Sequence, residues 1–301
     1  MKIAAVVVTY NRLHLLKEAL ESFNNQSRVV DYIIVVNNAS TDGTDIFLKN
    51  WKNTEVSGME KIVITLEENL GGSGGFYFGT EKALSLDADW IWVSDDDAIP
   101  NKDVFEKAEK HILDFEFPDN VSAICAQVQM DGVPDVTHRK KIKKSFFRVY
   151  QENIVLEEYS QKSFPLDSIS YVGTIMNRHA LEKIGLINKD YFIWQDDMEH
   201  SIRLKSVGKL YCYPDMIVDH RTTKSDYVEI NWKNYYGYRN DLLMLKEHYP
   251  KRYFWFKVMR ILQKSVCSKN YVHIKLGIAA ICGGIQGEKG LNKLYRPGWK
   301  Y

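Results

Sequence analysis

The sequence predicts an α/β protein, an open sheet flanked by helices with a helical C-terminal extension. Three observations carry this. Short β-branched apolar runs free of internal polar residues recur from the N-terminus, as in strands buried on both faces. Each run stops at a polar, acidic or Gly-rich turn, after which apolar residues follow helical spacing. The whole pattern repeats at intervals of about 30 residues, the length of a βαβ unit.

The first run is Ile3–Val8, and Thr9–Arg12 is its turn. Leu13, Leu16, Leu20 and Phe23 then mark a helix. Tyr32–Val36 is a second strand, ended by the turn formers Asn37–Gly43, and Thr44–Trp51 is the helix after it. Ile62–Leu66 is a third strand, Asn69–Gly75 a Gly-rich loop and Phe76–Leu86 a helix. Trp90–Val93 is a fourth strand, stopped by three aspartates. Beyond Pro100 the regularity fades. Val104–Phe115 reads as a helix, Val121–Gln129 and Ser170–Met176 as strands, and Leu181–Gly185 and Glu199–Gly208 as helix pieces. Lys209–Pro214 and Met216–Asp219 read as paired strands, and Lys140–Tyr159 alternates too loosely to assign. From Trp232 the chain is helical and aromatic.

The 301 residues include 26% charged and 45% hydrophobic side chains, which excludes a disordered chain. No apolar stretch is long enough to span a bilayer, and the N-terminal run lacks a signal-peptide cleavage site. Four cysteines without a CxxC pair fit a reducing compartment, so the expected location is cytoplasmic. The net charge of +1 hides an asymmetry: residues 246–301 hold twelve Lys or Arg and two acids, so the rest of the chain is acidic. Such a distribution points to a cation site in the body and an anionic partner for the tail.

Ligands of open α/β sheets bind outside the carboxyl ends of the strands. Four loops would meet there: Thr9–Arg12, Asn37–Asp42, Asn69–Gly75 and Asp95–Asp97. In an extended segment Asp95 and Asp97 share a face, and two convergent carboxylates call for a cation such as Mg²⁺ or Mn²⁺. The alternative is a solvated acidic turn or helix cap.

Together AVVVTYNR, VVNNASTDGT and the triple aspartate resemble the nucleotide-sugar-binding half of family 2 glycosyltransferases, which have the GT-A fold, a mixed sheet flanked by helices. The segment Asn69–Phe76, NLGGSGGF, is similar to the loop of the galactofuranosyltransferases and related rhamnosyltransferases within that family. The resemblance implies a catalytic domain over 1–228, divided into a nucleotide-sugar part (1–100) and an acceptor part (101–228), before a basic helical region over 229–301. It places Thr9, Asn11, Arg12, Asn38, Asp42, Asn69, Gly71 and Gly72 around the nucleotide sugar. Asp95 and Asp97 would hold the metal, with His220 completing its shell, and Asp96 would face the ribose or donor sugar.

A second acidic site, Asp196-Asp197, follows Trp194. An acceptor hydroxyl attacks only when a carboxylate takes its proton, and relatives carry such a base here. Asp197 is the first choice and Asp196 the second. Trp194, Glu199 and His200 are candidates for acceptor contact. The bland readings are a core position for Trp194, helix-capping acids and a plain helical position for His200.

The implied activity is metal-dependent, inverting transfer of a sugar, foremost galactofuranose from UDP-galactofuranose, to a glycan or lipid-linked glycan in bacterial surface polysaccharide synthesis. The rival donor is dTDP-rhamnose. A reading from another class is a module that binds nucleotide sugars without turnover, although such a binder has no need of the second acid pair. Aromatics beside Lys and Arg in the C-terminal region suit an anionic membrane surface on the inner face of the cell membrane, or a helical subdomain with its rings turned inward. Nucleic acid is not the expected partner of an acidic body, and a homodimer is compatible with the aromatic helices.

Overall fold

A computed structural model describes residues 1–116, 120–221 and 230–299. The expected junction between catalytic and C-terminal regions, at residue 228, lies outside the described residues.

Strands β1 (Ile3–Thr9), β2 (Tyr32–Asn37), β3 (Glu60–Thr65) and β4 (Trp90–Asp95) pair in parallel, with β1 between β2 and β4. Helices α1 (Leu13–Asn24), α2 (Thr44–Lys52) and α3 (Gly71–Ser85) connect them. Every residue of β1 is buried, as its unbroken apolar run requires. Ile3, Ala5 and Val7 pack toward Leu16, Leu20 and Phe23 of α1, whereas Ala4, Val6 and Val8 pack toward Phe76 and Ala83 of α3.

The Gly-rich segment differs from expectation, because Gly71–Gly75 opens α3 instead of forming a loop. Its intrinsic helical cost of about 1 kcal/mol per glycine is offset by close packing. A Cβ on Gly75 would stand 2.4 Å from Val8, and one on Gly79 would stand 2.2 Å from Val6.

After β5 (Ala98–Pro100) and α4 (Val104–Leu113), β6 (Val121–Met130) and the short β7 (Val133–Pro134) extend the sheet. The segment too loosely patterned to assign contains a separate ribbon, β8 (Lys140–Lys144) with β9 (Val149–Asn153). Strand β10 (Phe164–Leu166) follows, and β11 (Thr174–Asn177) inserts antiparallel between β4 and β6. Helices α5 (Arg178–Ile184) and α6 (Asp196–Val207) lead into β12 (Lys209–His220). The two short strands expected near residues 209–219 are this single strand. A register shift between Tyr213 and Ile217 absorbs Pro214, so the proline bends the strand without ending it.

Three helices, α7 (Lys233–His248), α8 (Lys251–Cys267) and α9 (Tyr271–Gln286), complete the fold. Most of their rings turn inward: Tyr235, Tyr236, Tyr253 and Phe254 are buried, while Trp255 is exposed. Their apolar faces enclose Met198 and Phe192, and so brace the segment that precedes and opens α6.

Candidate active site

A cavity of about 720 Å³ opens at the carboxyl ends of β1 and β4, where parallel pairing sets Val8 against Asp95. Thr9, Arg12, Asn38, Asn69, Gly71, Gly72, Asp95, Trp194, Asp196, Asp197 and His220 all line it. Six segments far apart in sequence therefore meet.

The three aspartates do not continue one extended strand. β4 ends at Asp95, and Asp96–Asp97 form the turn into β5. Asp96 and Asp97 are consequently gathered by one side chain: Arg12 Nη1 donates to Asp97 Oδ2 at 2.6 Å, and Nη2 lies 3.0 Å from Asp96 Oδ1. Thr9 Oγ1 donates to Asp96 Oδ2 at 2.6 Å. Asp95 is left facing the cavity. Antiparallel pairing of β5 and β12 sets His220 against Ala98, so its Nε2 stands 3.4 Å from Asp97 Oδ1.

Burial and the neighbouring charges drive these carboxyls apart in acidity. Burial and the charge of Asp97 push Asp95 well up. Burial also raises Asp96, to about 6, against the pull of Arg12. Asp97 goes the other way: burial opposes its charge, but His220 and Arg12 outweigh it and hold the carboxyl at about 2.

The residues fit a hard divalent cation. Asp97 Oδ1 is buried and accepts no hydrogen bond, beside an imidazole and a second carboxylate. Asp95, Asp97 and His220 are not drawn to within 4.8 Å of one another. Among the described residues that proximity occurs at Glu199, Glu247 and His248. There, however, both Glu199 oxygens bond Arg203 at 2.7 Å and Oε1 also meets His248 at 2.8 Å, which makes a structural ion-pair cluster.

Other expected residues have internal roles. Asp42 Oδ2 accepts from Leu13 N at 2.9 Å, and its Oδ1 accepts from Thr44 Oγ1 at 2.6 Å, so it caps α1 and α2. Asn11 adopts a left-handed φ of 53° and accepts from Thr41 N at 2.7 Å, which joins the first two loops. Asn38 is buried and ties β2 to the start of α3 by bonds with Leu70 N and Gly71 O. Asn69 accepts from Gly71 N. Asn11, Asp42, Asp96, Asp97, Glu199 and His200 are not among the cavity's lining residues. His200 is buried behind Tyr171, 3.0 Å from its hydroxyl, and burial pulls its pKa down to about 3, so it is neutral.

Across the cavity, Asp196 and Asp197 open α6. Burial and the neighbouring Asp197 push Asp196 up to about 7, and burial raises Asp197. The segment before them is bent sharply. Phe192, Trp194 and Gln195 all have positive φ, at 65°, 65° and 69°. Each costs a non-glycine residue about 1–2 kcal/mol, and such a run persists only where its surroundings over-determine it. The buckle is Arg239 and Asn240, both fully buried on α7. Asn240 Nδ2 reaches the carbonyls of Tyr191, Ile193 and Trp194 at 2.8–2.9 Å, and Arg239 Nη2 donates to Tyr191 O at 3.0 Å. Sequence reasoning does not find this pair, because no local signal connects it to a loop some 45 residues earlier. It also missed His138 and Tyr171, which line the cavity wall.

A sheet with helices on both faces, a carboxylate cluster at its strand ends and an acid pair across the cavity makes this a GT-A glycosyltransferase fold. Solved structures share it over most of the chain. GalNAc-T7 with UDP, GalNAc and Mn²⁺ has a TM-score of 0.66 at 13% identity, covering 95% of this chain and 56% of that one. TarS 1–349 of S. aureus in complex with UDP-GlcNAc has a TM-score of 0.61 at 15% identity, covering 95% and 81%. Residues 4–185 match the model of glycosyl transferase family 2, and the chain belongs to that family.

It is 37% identical over 98 residues to galactofuranosyltransferase GlfT1 of Mycolicibacterium smegmatis, covering 33% of this chain and 30% of that relative. The match thus spans under a third of the relative's length. An uncharacterized glycosyltransferase of Bacillus subtilis, YwdF, is 26% identical over 197 residues, covering 64% of this chain and 66% of that one.

Proposed function

We propose that the protein is a metal-dependent, inverting glycosyltransferase. It moves galactofuranose from UDP-galactofuranose to a glycan, in the cell a lipid-linked one, during bacterial surface polysaccharide synthesis. The observation that carries this reading is the pair Asp196–Asp197 in the same cavity as Asp95, Arg12 and His220. The partial similarity to a galactofuranosyltransferase supports the donor.

Asp197 accepts from Met198 N through Oδ1, which leaves Oδ2 for an acceptor hydroxyl. As that oxygen attacks the anomeric carbon from the face opposite the diphosphate, Asp197 takes its proton. The new C–O bond forms while the bond to UDP breaks, and the anomeric centre inverts. Arg12 holds Asp96 and Asp97 in place beneath the donor. Mn²⁺ or Mg²⁺ held by Asp95, Asp97 and His220 would supply Lewis-acid stabilisation of the leaving diphosphate. Trp194, partly exposed at the mouth, offers a ring face to the acceptor sugar.

The test combines ligand-dependent unfolding with transfer. A ligand that binds only the folded state raises its stability, so UDP with Mn²⁺ raises the melting temperature and dTDP does not. Incubation with UDP-galactofuranose and a galactosyl acceptor then yields product, which Asp197→Asn abolishes. Stabilisation by dTDP and not by UDP overturns the donor. Full-rate transfer by the Asp197→Asn variant overturns the base.

A further inference from the structure

Helices α8 and α9 present an apolar face to the outside. On α8, Trp255, Met259, Leu262 and Val266 are all exposed, and Val266 is 61% accessible. At about 100° per residue these four positions fall within roughly 60° of arc. On α9 the exposed Tyr271, Ile278 and Ile285 recur every seventh residue and make a second stripe.

The two helices are joined by residues 268–270 and pack so closely that a Cβ on Gly277 would stand 2.1 Å from Ser265 Oγ. From that contact, each stripe lies about a quarter-turn further round its own helix. Because the helices run in opposite directions, both stripes emerge on the same side. The tip of the β8–β9 ribbon joins this face. Arg252 Nε donates to Phe146 O at 2.8 Å and Phe147 stacks on Phe256, while Phe146 remains 72% exposed.

The charge around this face is predominantly positive, with Asp241 paired to Lys257 and Glu152 to Lys143. Residues 248–287 contain seven Lys or Arg and no acid, and residues 140–148 contain five and none. Among the described residues, Arg148, Arg252, Arg260 and Lys264 make no ion pair with a carboxylate. Arg148 and Lys264 lie over Tyr150 and Tyr238, and Arg252 lies over Phe146 and Tyr253. Neither helix is long and apolar enough to cross a membrane.

We propose that the outer face of α8 and α9, with the Phe146–Phe147 tip, is a docking surface for an anionic lipid bilayer. The rings and aliphatic side chains enter the headgroup boundary, and the surrounding cations meet lipid phosphates. A second copy of the chain is the poorer occupant, since it would bring two cationic surfaces together without counter-charge. Docking would also orient the enzyme. The far end of the same ribbon, Lys140 and Gln151, lines the catalytic cavity, so the ribbon leads from the lipid surface to the reaction site.

The test is independent of transfer. The full chain is sedimented with vesicles of phosphatidylglycerol and phosphatidylcholine, or of phosphatidylcholine alone, at low and high salt. Binding is expected only to the anionic vesicles and falls with salt. The variant W255S/M259S, altered at two exposed positions, loses at least tenfold in bound fraction while its melting temperature stays near that of the parent. Leu113→Ser, an exposed apolar site on α4, serves as the control and binds like the parent. Absence of binding to anionic vesicles, or equal loss in the Leu113→Ser control, overturns the proposal. So does a dimer in solution that W255S/M259S dissociates, which would make this face a contact between copies.

Discussion

The side-chain amide of Asn240 lies 2.8 Å from the main-chain carbonyl of Trp194. It holds the strained turn before the acid pair from a helix that the catalytic sheet does not contain. Leaving those buried carbonyls unpaired would cost about 1–3 kcal/mol each. Asn240→Asp keeps the shape and loses the donors. The expected result is a fall in kcat of at least tenfold with little change in UDP affinity, because the nucleotide end of the cavity is built by other elements. Steady-state kinetics beside UDP titration reads the split; an unchanged kcat would show that the turn holds its shape without the amide.

Asp196 and Asp197 repel, and that repulsion shapes the pH dependence. The base must be ionised, so transfer rises with pH through an acidic limb that burial of Asp197 lifts above the ordinary carboxylate range. Asp196→Asn removes one charge and moves the limb to lower pH if Asp197 is the base. Stability responds in the opposite sense. A carboxyl whose folded pKa is raised costs stability as pH climbs from its unfolded value toward the folded one. Asp196→Asn therefore raises the melting temperature at pH 8 and has little effect at pH 4. A limb that stays in place in this variant would assign the titration elsewhere.

Gly71 has φ of 73°, and a Cβ there would meet the Phe192 carbonyl oxygen at 1.9 Å. The same carbonyl accepts from Ser73 N at 3.2 Å. Any side chain at 71 must push the donor-side helix away from the acidic turn. Gly71→Ala is expected to lose both nucleotide stabilisation and transfer, whereas Gly72→Ala, whose added Cβ meets only Phe76 at 3.9 Å, keeps its fold. Thermal unfolding of the two variants with and without UDP makes the comparison.

Glu199 tests whether its cluster is structural. Burial raises its carboxyl, but His248 and Arg203 more than compensate and hold it at about 2. A depressed acid pKa contributes stability above the unfolded value, which is lost as pH falls toward the folded one. Glu199→Gln should lower the melting temperature at pH 7, and the gap should close toward pH 2. Divalent metal should not stabilise the parent through this cluster, because Arg203 takes both oxygens. A metal-dependent gain that disappears in Glu199→Gln would contradict this.

Patterning alone made the parallel half of the sheet legible. β1, β2 and β4 are apolar up to their polar carboxyl ends because helices cover both faces, and buried strands carry little ambiguity. The ribbon β8–β9 was not legible, since Lys140–Lys144 is half solvated and shows no clean alternation. The helical start of α3 was hidden because glycine's local preference opposes it, and only contact with Val8 and Val6 reverses that preference. Asp42 reads as a nucleotide-sugar contact from its position after β2, and its bond with Leu13 N became visible only in the fold.

The order of apolar runs and polar stops thus determined, without any tertiary knowledge, which loops gather at the strand ends and that carboxylates dominate them. Such periodicity is local, set by which faces of each element must leave water. Only the tertiary structure decided that Arg12 gathers Asp96 and Asp97 while Asp95 faces the cavity. It alone decided that Asn240 secures the acid pair, and that the aromatic tail both buries its rings and keeps one cationic, apolar face outward. Those outcomes depend on distances between segments up to 85 residues apart, and spacing along a chain does not encode distance across a folded one.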